Sequence, residues 1–269
     1  MSDQEFTARV AIITGAASGI GAAVSAAFCD RGAAVALVDV DAAALAAHAR
    51  ALRARGATDV TDWPLDVTDR ASISSMVSEV ASRYYRIDFL VNSAASFISA
   101  GINATETQWE EAVRVNLIAA SLLTAEVSRY MPAGSSVVNI ASISAHVAQR
   151  DRWTYNATKA ALVALTRGQA LDLGRLGIRV NAVSPGWIWT PEVERAAFGS
   201  RETWEPVWGR FHILGRLGEP KEVAEAVVFL SSAGASFITG TELMVDGGYS
   251  ALGPEGHGET ASFAGSASD

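Results

Sequence analysis

The sequence predicts an α/β fold in which a single domain is built on a doubly wound, seven-stranded parallel sheet. Short apolar runs alternate with helix-like segments along most of the chain. The first of these runs leads directly into a glycine-rich turn. The chain has 269 residues, of which 49% are hydrophobic, and α/β folds of this length commonly remain undivided.

Seven apolar runs are the predicted strands. They lie at residues 9–14, 33–39, 58–63, 87–92, 135–141, 178–184 and 242–246, the third being the weakest. In a parallel sheet of this kind, ligands bind outside the carboxyl ends of the strands. The residues at such ends include Gly15, Asp39, Asn92, Ser142 and Pro185.

The predicted domain occupies residues 1–249, and a different composition follows it. Beyond residue 249 the chain consists mainly of Ser, Ala, Gly and Glu, with almost no large apolar side chains from residue 253 onwards. Such a segment cannot bury enough apolar surface to offset the entropy lost on ordering. We therefore predict a flexible C-terminal tail at residues 250–269.

The glycine-rich turn at residues 14–21 follows the first strand without a gap. Its three glycines allow a tight turn and a close backbone approach to a pyrophosphate, and the N–H groups at the helix start attract the phosphate charge. A glycine-rich turn of this kind can also begin a helix without binding a nucleotide. Strand, turn and helix in this order instead predict a nucleotide site at Gly15, Ser18, Gly19, Ile20 and Gly21.

The second strand ends at Asp39, eighteen residues beyond Gly21. A carboxylate at this point can accept hydrogen bonds from both adenosine ribose hydroxyls and would repel a 2′-phosphate. Ser18 and Val40, where a basic residue could neutralise that phosphate, are uncharged. NAD is therefore favoured over NADP, with Asp39 and Val40 at the ribose. Asp39 could instead cap the next helix, but Asp41 is better placed for that role.

Ser142, Tyr155 and Lys159 have the spacing of a proton-transfer site. Tyr155 follows Ser142 by thirteen residues, and Lys159 lies one helical turn further on, on the same helix face. A free tyrosine has a pKa near 10, so lowering it to about 7 requires about 4 kcal/mol, which a neighbouring cation can partly supply. Such pairs also occur by chance on solvated helices, but the nucleotide-binding turn favours catalysis.

Taken together, these features resemble the short-chain dehydrogenase/reductase family from about residue 8 to residue 249. The resemblance implies a Rossmann fold, a catalytic set of Ser142, Tyr155 and Lys159, and an Asn116 that holds a water in the proton relay. Further cofactor contacts that it implies are Asp66 and Val67 at adenine, Asn92 and Ala94 after the fourth strand, Pro185, Gly186, Ile188 and Thr190 at the nicotinamide carboxamide, and Tyr155 and Lys159 themselves.

One segment departs from the family pattern. Where the family usually has Asn-Asn-Ala-Gly after the fourth strand, residues 92–95 are Asn-Ser-Ala-Ala. Asn92 and Ala94 are retained, which predicts that the backbone contact to the cofactor survives. Ala95 is expected to adopt a conformation that glycine reaches more easily.

The implied reaction is reversible hydride transfer between NAD and a secondary alcohol or ketone. Tyr155 as phenolate would remove the hydroxyl proton, Ser142 would donate to the developing carbonyl oxygen, and Lys159 would lower the tyrosine pKa and bind the nicotinamide ribose. Alternatives within the family are a 3-oxoacyl carrier-protein reductase and a sugar or polyol dehydrogenase. A sugar-nucleotide epimerase would need a larger C-terminal region, and a non-enzymatic NAD-sensing regulator would not need these residues.

Substrate selectivity is expected in the long segment between residues 187 and 215, which is rich in aromatic side chains. Insertions at such positions usually form lids, and the aromatic density predicts an apolar or cyclic substrate. Some of these rings could instead pack the lid onto the sheet, and His146 could be a simple loop residue. The predicted substrate contacts are Ser144, His146, Trp187, Trp189, Trp204 and Trp208.

The composition and charge limit which binding partners and which cellular location are expected. A net charge of −8 argues against a nucleic-acid partner, and no apolar run reaches the ~18 residues of a membrane span. A cytoplasmic location is expected because the N-terminus has no signal segment, and no metal site is expected. The resemblance implies a homotetramer built on two long helices, at about 106–130 and 153–175, and on the final strand region near 240–249.

Overall fold

A single sheet of seven strands runs through the computed structural model, which describes residues 5–253 and 256. The strands are β1 (Val10–Thr14), β2 (Ala34–Asp39), β3 (Val60–Pro64), β4 (Phe89–Asn92), β5 (Ser136–Ile140), β6 (Arg179–Pro185) and β7 (Glu242–Val245). Their order is β3-β2-β1-β4-β5-β6-β7, and every neighbouring pair is parallel. The predicted doubly wound, seven-stranded parallel sheet is confirmed, including its weakest strand.

The strand order reverses at β1, which lies between β2 and β4. Connections on the two sides of this point leave in opposite directions, so the loops at the carboxyl ends of the strands separate and leave a crevice. The ends of β1, β2 and β4 border this crevice directly, and the end of β5 adjoins β4. The predicted site residues are therefore carried to one edge of the sheet.

Nine α-helices cover the sheet in the described part of the chain. They are α1 (Gly19–Cys29), α2 (Ala42–Ala54), α3 (Arg70–Tyr84), α4 (Glu106–Val113), α5 (Ala120–Val127), α6 (Trp153–Gly174), α7 (Pro191–Ala196), α8 (Arg201–Gly209) and α9 (Pro220–Ser231). The local sequence determines where several helices begin; for example, Thr105 and Gln108 form a capping box at the start of α4. A π-helical turn, Arg114–Ala119, joins α4 to α5.

Two apolar layers, one on each face of the sheet, hold the fold together. In the first layer the rings of Phe6, Phe28 and Phe89 pack with centroid distances of 4.7 to 5.3 Å. Alternate strand residues enter opposite layers, so that Ile13 packs into the first and Ile12 into the second. Because both faces are covered, the strands are continuous apolar runs rather than alternating ones.

The C-terminal region keeps regular contacts slightly beyond residue 249. Tyr249–Ala251 form a short 3-10 turn, and Asp246 accepts hydrogen bonds from the N–H and the hydroxyl of Ser250. Most of the predicted flexible tail, residues 254–255 and 257–269, lies outside the described residues, and its mobility stays a prediction. Among the residues described, no helix combines the length and apolar character needed to span a membrane.

Candidate active site

The glycine-rich turn between β1 and α1 forms a cradle against the segment that follows β4. Gly15 has a φ of +66°, and a Cβ atom on it would lie 2.9 Å from the amide nitrogen of Ala94. A Cβ atom on Gly21 would overlap the carbonyl oxygen of Gly15. Ser18 is exposed, and its hydroxyl makes no capping hydrogen bond. This hydroxyl and the N–H groups of the first helical turn are thus available to a phosphate.

Asp39 lies beside this turn, at the end of β2. Its two carboxylate oxygens accept hydrogen bonds from the N–H groups of Ala17 and Asp41, both at 3.0 Å. These bonds hold the carboxylate in place, and its remaining lone pairs can receive two ribose hydroxyls. Val40 is 75% exposed, and the side chain of Asp41 caps α2. The helix cap is therefore Asp41 and not Asp39, as the sequence predicts.

Asp66 and Val67 lie just beyond the end of β3. Because β3 pairs with β2 so that Pro64 is level with Asp39, both residues share the edge that carries Asp39. Asp66 is exposed, and its Oδ1 accepts a hydrogen bond of 2.8 Å from the N–H of Thr68. This position agrees with the predicted adenine contact, which stays a prediction.

The chain after β4 is anchored on both sides. The side-chain amide of Asn92 donates to Thr124 at 3.1 Å and to Asn139 at 2.8 Å, which uses both of its N–H bonds. The hydroxyl of Thr14 accepts a hydrogen bond of 3.1 Å from the N–H of Ala94. With the Asn92 donors occupied inside the fold, a cofactor contact at this segment would come from the backbone.

Ala95 does not need the glycine-like conformation that the sequence predicts. Non-glycine residues with positive φ in the described chain are Ala8, Tyr85, Asp151 and Phe198. Ala95 is absent from this set because the chain leaves β4 without a tight turn. The expectation of local strain at this departure from the family pattern is therefore wrong.

The segment after β6 forms the opposite wall of the cradle. A Cβ atom on Gly19 would lie 3.4 Å from the Cγ2 of Thr190, so the start of α7 adjoins the glycine-rich turn. The side chain of Ile188 is buried in the core, which leaves its backbone for any contact with a cofactor. Pro185 ends β6, and a Cβ atom on Gly186 would lie 2.8 Å from the Cα of Asp246. The structure brings the four predicted residues to this wall.

Ser142 follows β5 and is buried. Its hydroxyl accepts a hydrogen bond from the N–H of Ser144 at 3.1 Å and lies 3.0 Å from the hydroxyl of that residue. The Ser144 hydroxyl in turn donates to the side chain of Gln149 at 2.6 Å. Ser144, a predicted substrate contact, is itself buried and holds the Ser142 hydroxyl in position.

The phenol of Tyr155 lies within hydrogen-bonding reach of Ser142 near the start of α6. Burial raises the pKa of Tyr155 to about 12, although the Ser142 hydrogen bond and the charge of Arg152 oppose the increase. The lowered pKa predicted for this phenol is not found in this structure. Sequence spacing indicates that Ser142 and Lys159 lie near the ring, but it does not predict the desolvation of the phenol hydroxyl.

Lys159 is buried one helical turn beyond Tyr155. Its Nζ donates a 2.7 Å hydrogen bond to the carbonyl oxygen of Ile140 and lies 5.5 Å from the centroid of the tyrosine ring. Burial lowers the pKa of Lys159 to about 8. The cation that lowers the tyrosine pKa is Arg152, so the predicted electrostatic role of Lys159 is not found here.

Asn116 lies inside the π-helical turn and is buried. Its Oδ1 accepts a 2.7 Å hydrogen bond from the N–H of Ser96, while its Nδ2 donates to the carbonyl of Ser96 and to the hydroxyl of Thr158, both at 3.0 Å. These contacts join the segment after β4 to α6. Asn116 thereby positions the wall of the site, and its role in holding a water stays a prediction.

Two residues that the sequence analysis omits, Arg152 and Phe97, stand beside the phenol. The rings of Phe97 and Tyr155 meet edge to face with centroids 4.6 Å apart. The guanidinium carbon of Arg152 lies over the Phe97 ring, 3.9 Å from its centroid. The spacing of Arg152 and Tyr155, three residues apart at a helix start, is a signal that could have identified the arginine.

His146 contacts the sheet edge. Its Nε2 lies 2.8 Å from both carboxylate oxygens of Glu242 on β7, and Glu242 also accepts a hydrogen bond from Ser184 on β6. The observed partner of this ring is therefore a structural carboxylate. A contact between His146 and substrate stays a prediction.

The predicted lid contains two short helices, α7 and α8. Three of its indole rings form one stack, with Trp208 5.2 Å from Trp187 and 5.1 Å from Trp204. Trp189 packs separately, its ring 5.0 Å from the guanidinium carbon of Arg201. The stack secures α8 to the end of β6, so packing explains part of this aromatic density.

This arrangement can transfer a proton at the edge of a dinucleotide cradle. A turn that excludes side chains at Gly15 and Gly21, together with the anchored carboxylate of Asp39, fits a nicotinamide dinucleotide. When bound, such a cofactor supplies a hydride acceptor or donor. The protein contributes a phenol and a serine hydroxyl that can act on one substrate oxygen.

Comparisons with known proteins agree with this geometry. A family model described as enoyl-(acyl carrier protein) reductase matches residues 15–250. Cis-4-hydroxycyclohexanecarboxylate dehydrogenase of Sinomonas cyclohexanicum is 38% identical over 260 residues, covering 93% of this chain and 99% of that protein. The 3-oxoacyl-[acyl-carrier-protein] reductase of Thermotoga maritima is 37% identical over 244 residues, covering 89% and 97%.

A solved structure extends the similarity to three dimensions. The short-chain dehydrogenase/reductase of Brucella melitensis described as glucose/ribitol dehydrogenase has a TM-score of 0.85 and 31% identity, covering 92% of this chain and 99% of that one. Sequence and fold thus agree over nearly the whole chain. The chain belongs to the short-chain dehydrogenase/reductase family, whose members are oxidoreductases that act on alcohols and ketones with a nicotinamide cofactor.

Proposed function

We propose that this protein is an NAD-dependent dehydrogenase that interconverts secondary alcohols and ketones. The observation that carries the proposal is the approach of Ser142 to the Tyr155 phenol beside a cradle that fits a dinucleotide. In the oxidation direction Tyr155, as phenolate, removes the proton of the alcohol, and Ser142 donates to the oxygen as the carbonyl forms. Lys159 binds the nicotinamide ribose, and Asn116 holds a water that passes protons to solvent.

The protonation state of Tyr155 differs between the two directions. With its pKa raised to about 12, the residue is a neutral phenol at pH 7 and is ready to protonate the oxygen of a ketone. Forming the phenolate costs about 1.4 kcal/mol for each pH unit below that pKa. Reduction therefore uses the form that predominates at neutral pH, and oxidation is favoured by alkaline conditions.

NAD is the cofactor that Asp39 favours. Its carboxylate is held beside the glycine-rich turn by two backbone N–H groups, where it can accept bonds from the ribose hydroxyls and would repel a 2′-phosphate. Ser18 and Val40 are both exposed and uncharged. A phosphate at this point would meet a fixed negative charge.

A secondary alcohol with an apolar ring is the substrate that we favour. Phe97 is 50% exposed beside the phenol, and Trp189 is partly exposed in the lid. The relative from Sinomonas cyclohexanicum, at 38% identity, is named for a hydroxylated cyclohexane ring. Both observations support a ring-shaped substrate packed against aromatic side chains.

Two other reactions within the family are the alternatives. The 37% identical relative from Thermotoga maritima is a 3-oxoacyl carrier-protein reductase, and the structural neighbour from Brucella melitensis is described as a glucose/ribitol dehydrogenase. Asp39 weakens the first alternative, because that biosynthetic role generally runs on NADPH. The aromatic walls weaken the second, because a polyol needs several polar partners.

We also propose a cytoplasmic homotetramer with one active domain at residues 1–249 in each subunit. Leu123 and Leu162, on the two long helices, are each only 2% exposed and belong to the core, whereas Leu122 and Leu165 remain partly exposed. Every residue of β7, Glu242–Val245, is also partly exposed at the edge of the sheet. An apolar edge strand and apolar helix positions of this kind suit pairing with a second subunit.

The test is a panel of secondary alcohols and ketones assayed with NAD and NADP by following the absorbance of the reduced cofactor. Cyclohexanol, 2-propanol, ribitol and a 3-oxoacyl thioester represent the competing classes. We expect the highest kcat/KM for the cyclic alcohol with NAD, and no turnover in the Tyr155→Phe variant. Failure of the folded protein to act on any alcohol or ketone with either cofactor would contradict the proposal.

A further inference from the structure

Arg152 and Phe97 form a corner of the site beside the Tyr155 phenol. The Arg152 guanidinium lies over one side of the Phe97 ring at 3.9 Å, and the Phe97 ring meets Tyr155 at 4.6 Å. The two distances add to an upper limit of 8.5 Å between the guanidinium carbon and the centroid of the tyrosine ring. A positive charge is thus close to the residue that transfers the proton, and it acts on the Tyr155 phenol.

The Arg152 charge is half-buried and has no counter-ion among the described residues. Within the described part of the chain, its guanidinium makes no hydrogen bond or ion pair with a protein acceptor, and burial lowers its pKa. Other arginines are paired, among them Arg83 with Asp59 at 2.8 Å and Arg216 with Glu222 at 2.7 Å. Desolvating a charge without a partner is unfavourable, which points to a partner that comes from outside the chain.

Two carboxylates approach this corner, and neither pairs with the guanidinium. Asp151 acts on Arg152 through its charge alone, while its Oδ1 lies 2.7 Å from the place of a Cβ atom on Gly101. Glu192 acts on Tyr155 through its charge and is already paired with an arginine of its own helix at 3.1 Å. The five N–H donors of Arg152 remain available to a ligand.

We propose that Arg152 binds a carboxylate group of the substrate, so that the preferred substrate is a hydroxy acid and not a neutral alcohol. The guanidinium carbon lies over the Phe97 ring, and the guanidinium N–H donors, which have no acceptor among the described residues, match the two oxygens of a carboxylate. The inference rests on the proposed dehydrogenase function and specifies its substrate class.

The aromatic surface at this corner favours a cyclic acid. Phe97 contacts both the Tyr155 ring and the Arg152 guanidinium and is 50% exposed, so an apolar ring can pack against it. A ring that carries its hydroxyl and carboxylate groups on different carbons lets the oxidised carbon reach Tyr155 while the carboxylate reaches Arg152.

The first test compares two alcohols that share a ring and a hydroxyl group, cis-4-hydroxycyclohexanecarboxylate and cis-4-methylcyclohexanol. We expect the unaltered protein to prefer the carboxylate in kcat/KM. Arg152→Met keeps an unbranched apolar side chain against Phe97 and should lower the ratio of the two kcat/KM values by about 10- to 150-fold, as expected for hydrogen bonds to a charged group. Using a ratio cancels any effect of the lost charge on Tyr155.

Arg150→Met is the matched control. This arginine is exposed and lies two residues earlier, so its replacement removes the same charge from the same segment. The ratio should remain that of the unaltered protein. An equal fall of the kcat/KM ratio in both variants would mean that the substrate is attracted by positive charge in general. An unchanged ratio in Arg152→Met would mean that Arg152 does not bind the carboxylate. Either result overturns the inference.

A binding experiment separates this inference from the proposed function. Cyclohexanecarboxylate has no hydroxyl group to oxidise, so calorimetry with the NAD-loaded protein measures the carboxylate site without turnover. We expect Arg152→Met to weaken this affinity at least about 10-fold and Arg150→Met to leave it unchanged. Turnover of neutral alcohols together with no Arg152-dependent binding would overturn the inference alone. Binding that depends on Arg152 in a protein without any dehydrogenase activity would overturn only the proposed function.

Discussion

Replacement of Asp39 by asparagine should weaken the preference for NAD over NADP. The carboxylate ends β2 with each oxygen bonded to a backbone N–H at 3.0 Å, so its charge is fixed at the point where we propose that the ribose binds. Asparagine has nearly the same shape and keeps one acceptor oxygen, but it removes the negative charge. The variant removes the charge, and one of the two backbone N–H groups loses its acceptor, so the melting temperature is measured alongside the cofactor preference.

The size of the effect follows from Coulomb's law at this position. Two unit charges 4 Å apart interact by about 4 kcal/mol at an effective dielectric constant of about 20, and by about 1 kcal/mol in bulk water. Asp39 is partly exposed, so its repulsion of the phosphate lies between these limits, at about 1 to 3 kcal/mol. The ratio of kcat/KM with NAD to kcat/KM with NADP should fall by about 5- to 150-fold.

The assay measures both kcat/KM values for one alcohol at fixed ionic strength. Asp41→Asn is the matched control, because it removes a carboxylate two residues away and asparagine remains a good N-cap for α2. Its cofactor preference should be unchanged. Melting temperatures would show whether either variant disturbs the fold. Equal efficiency with NAD and NADP in the unaltered protein, or an unaltered ratio in Asp39→Asn, would refute the reasoning.

The remaining predictions concern the phenol, the lid and assembly. Tyr155→Phe should abolish turnover but leave NAD binding, measured by calorimetry, nearly intact. An absorbance titration of the cofactor-free protein should show a tyrosine ionisation with its midpoint near pH 12, because burial raises the pKa of Tyr155, and this ionisation should be absent from the variant. Since only the phenolate is a base, single-turnover oxidation should accelerate as pH rises; a plateau already at pH 7 would contradict this. Trp208→Ala removes the centre of the indole stack, so it should lower the melting temperature and raise KM equally for cyclohexanol and 2-propanol. Trp189→Ala should raise KM mainly for cyclohexanol, the larger alcohol. Light scattering should give a homotetramer, with or without residues 254–269, and a stable monomer would refute that assembly.

The sequence alone was sufficient to predict the sheet. Residues such as Ile12 and Ile13 are buried on opposite faces, so the whole strand is apolar and stands out from the helices beside it. The glycine-rich turn was equally predictable, because the close approach of Gly21 to Gly15 depends on residues six positions apart. Patterns of this kind are local, and the chain itself displays them.

Contacts between distant segments required the tertiary structure. Phe97 and Arg152 are 55 positions apart in the sequence and meet at Tyr155 only because the chain after β4 and the start of α6 reach the same edge of the sheet. The pairing of His146 with Glu242 joins segments that are still further apart. No spacing rule predicts such neighbours, since they depend on how strands are ordered.

The electrostatics of the site also depended on the fold. The spacing of Tyr155 and Lys159 correctly placed the two side chains one helical turn apart, but it predicted a lowered tyrosine pKa where burial raises it. Burial likewise lowers the pKa of the lysine. A pKa reflects the water removed around a group as well as the charges beside it, and only the packed structure decides how much water remains.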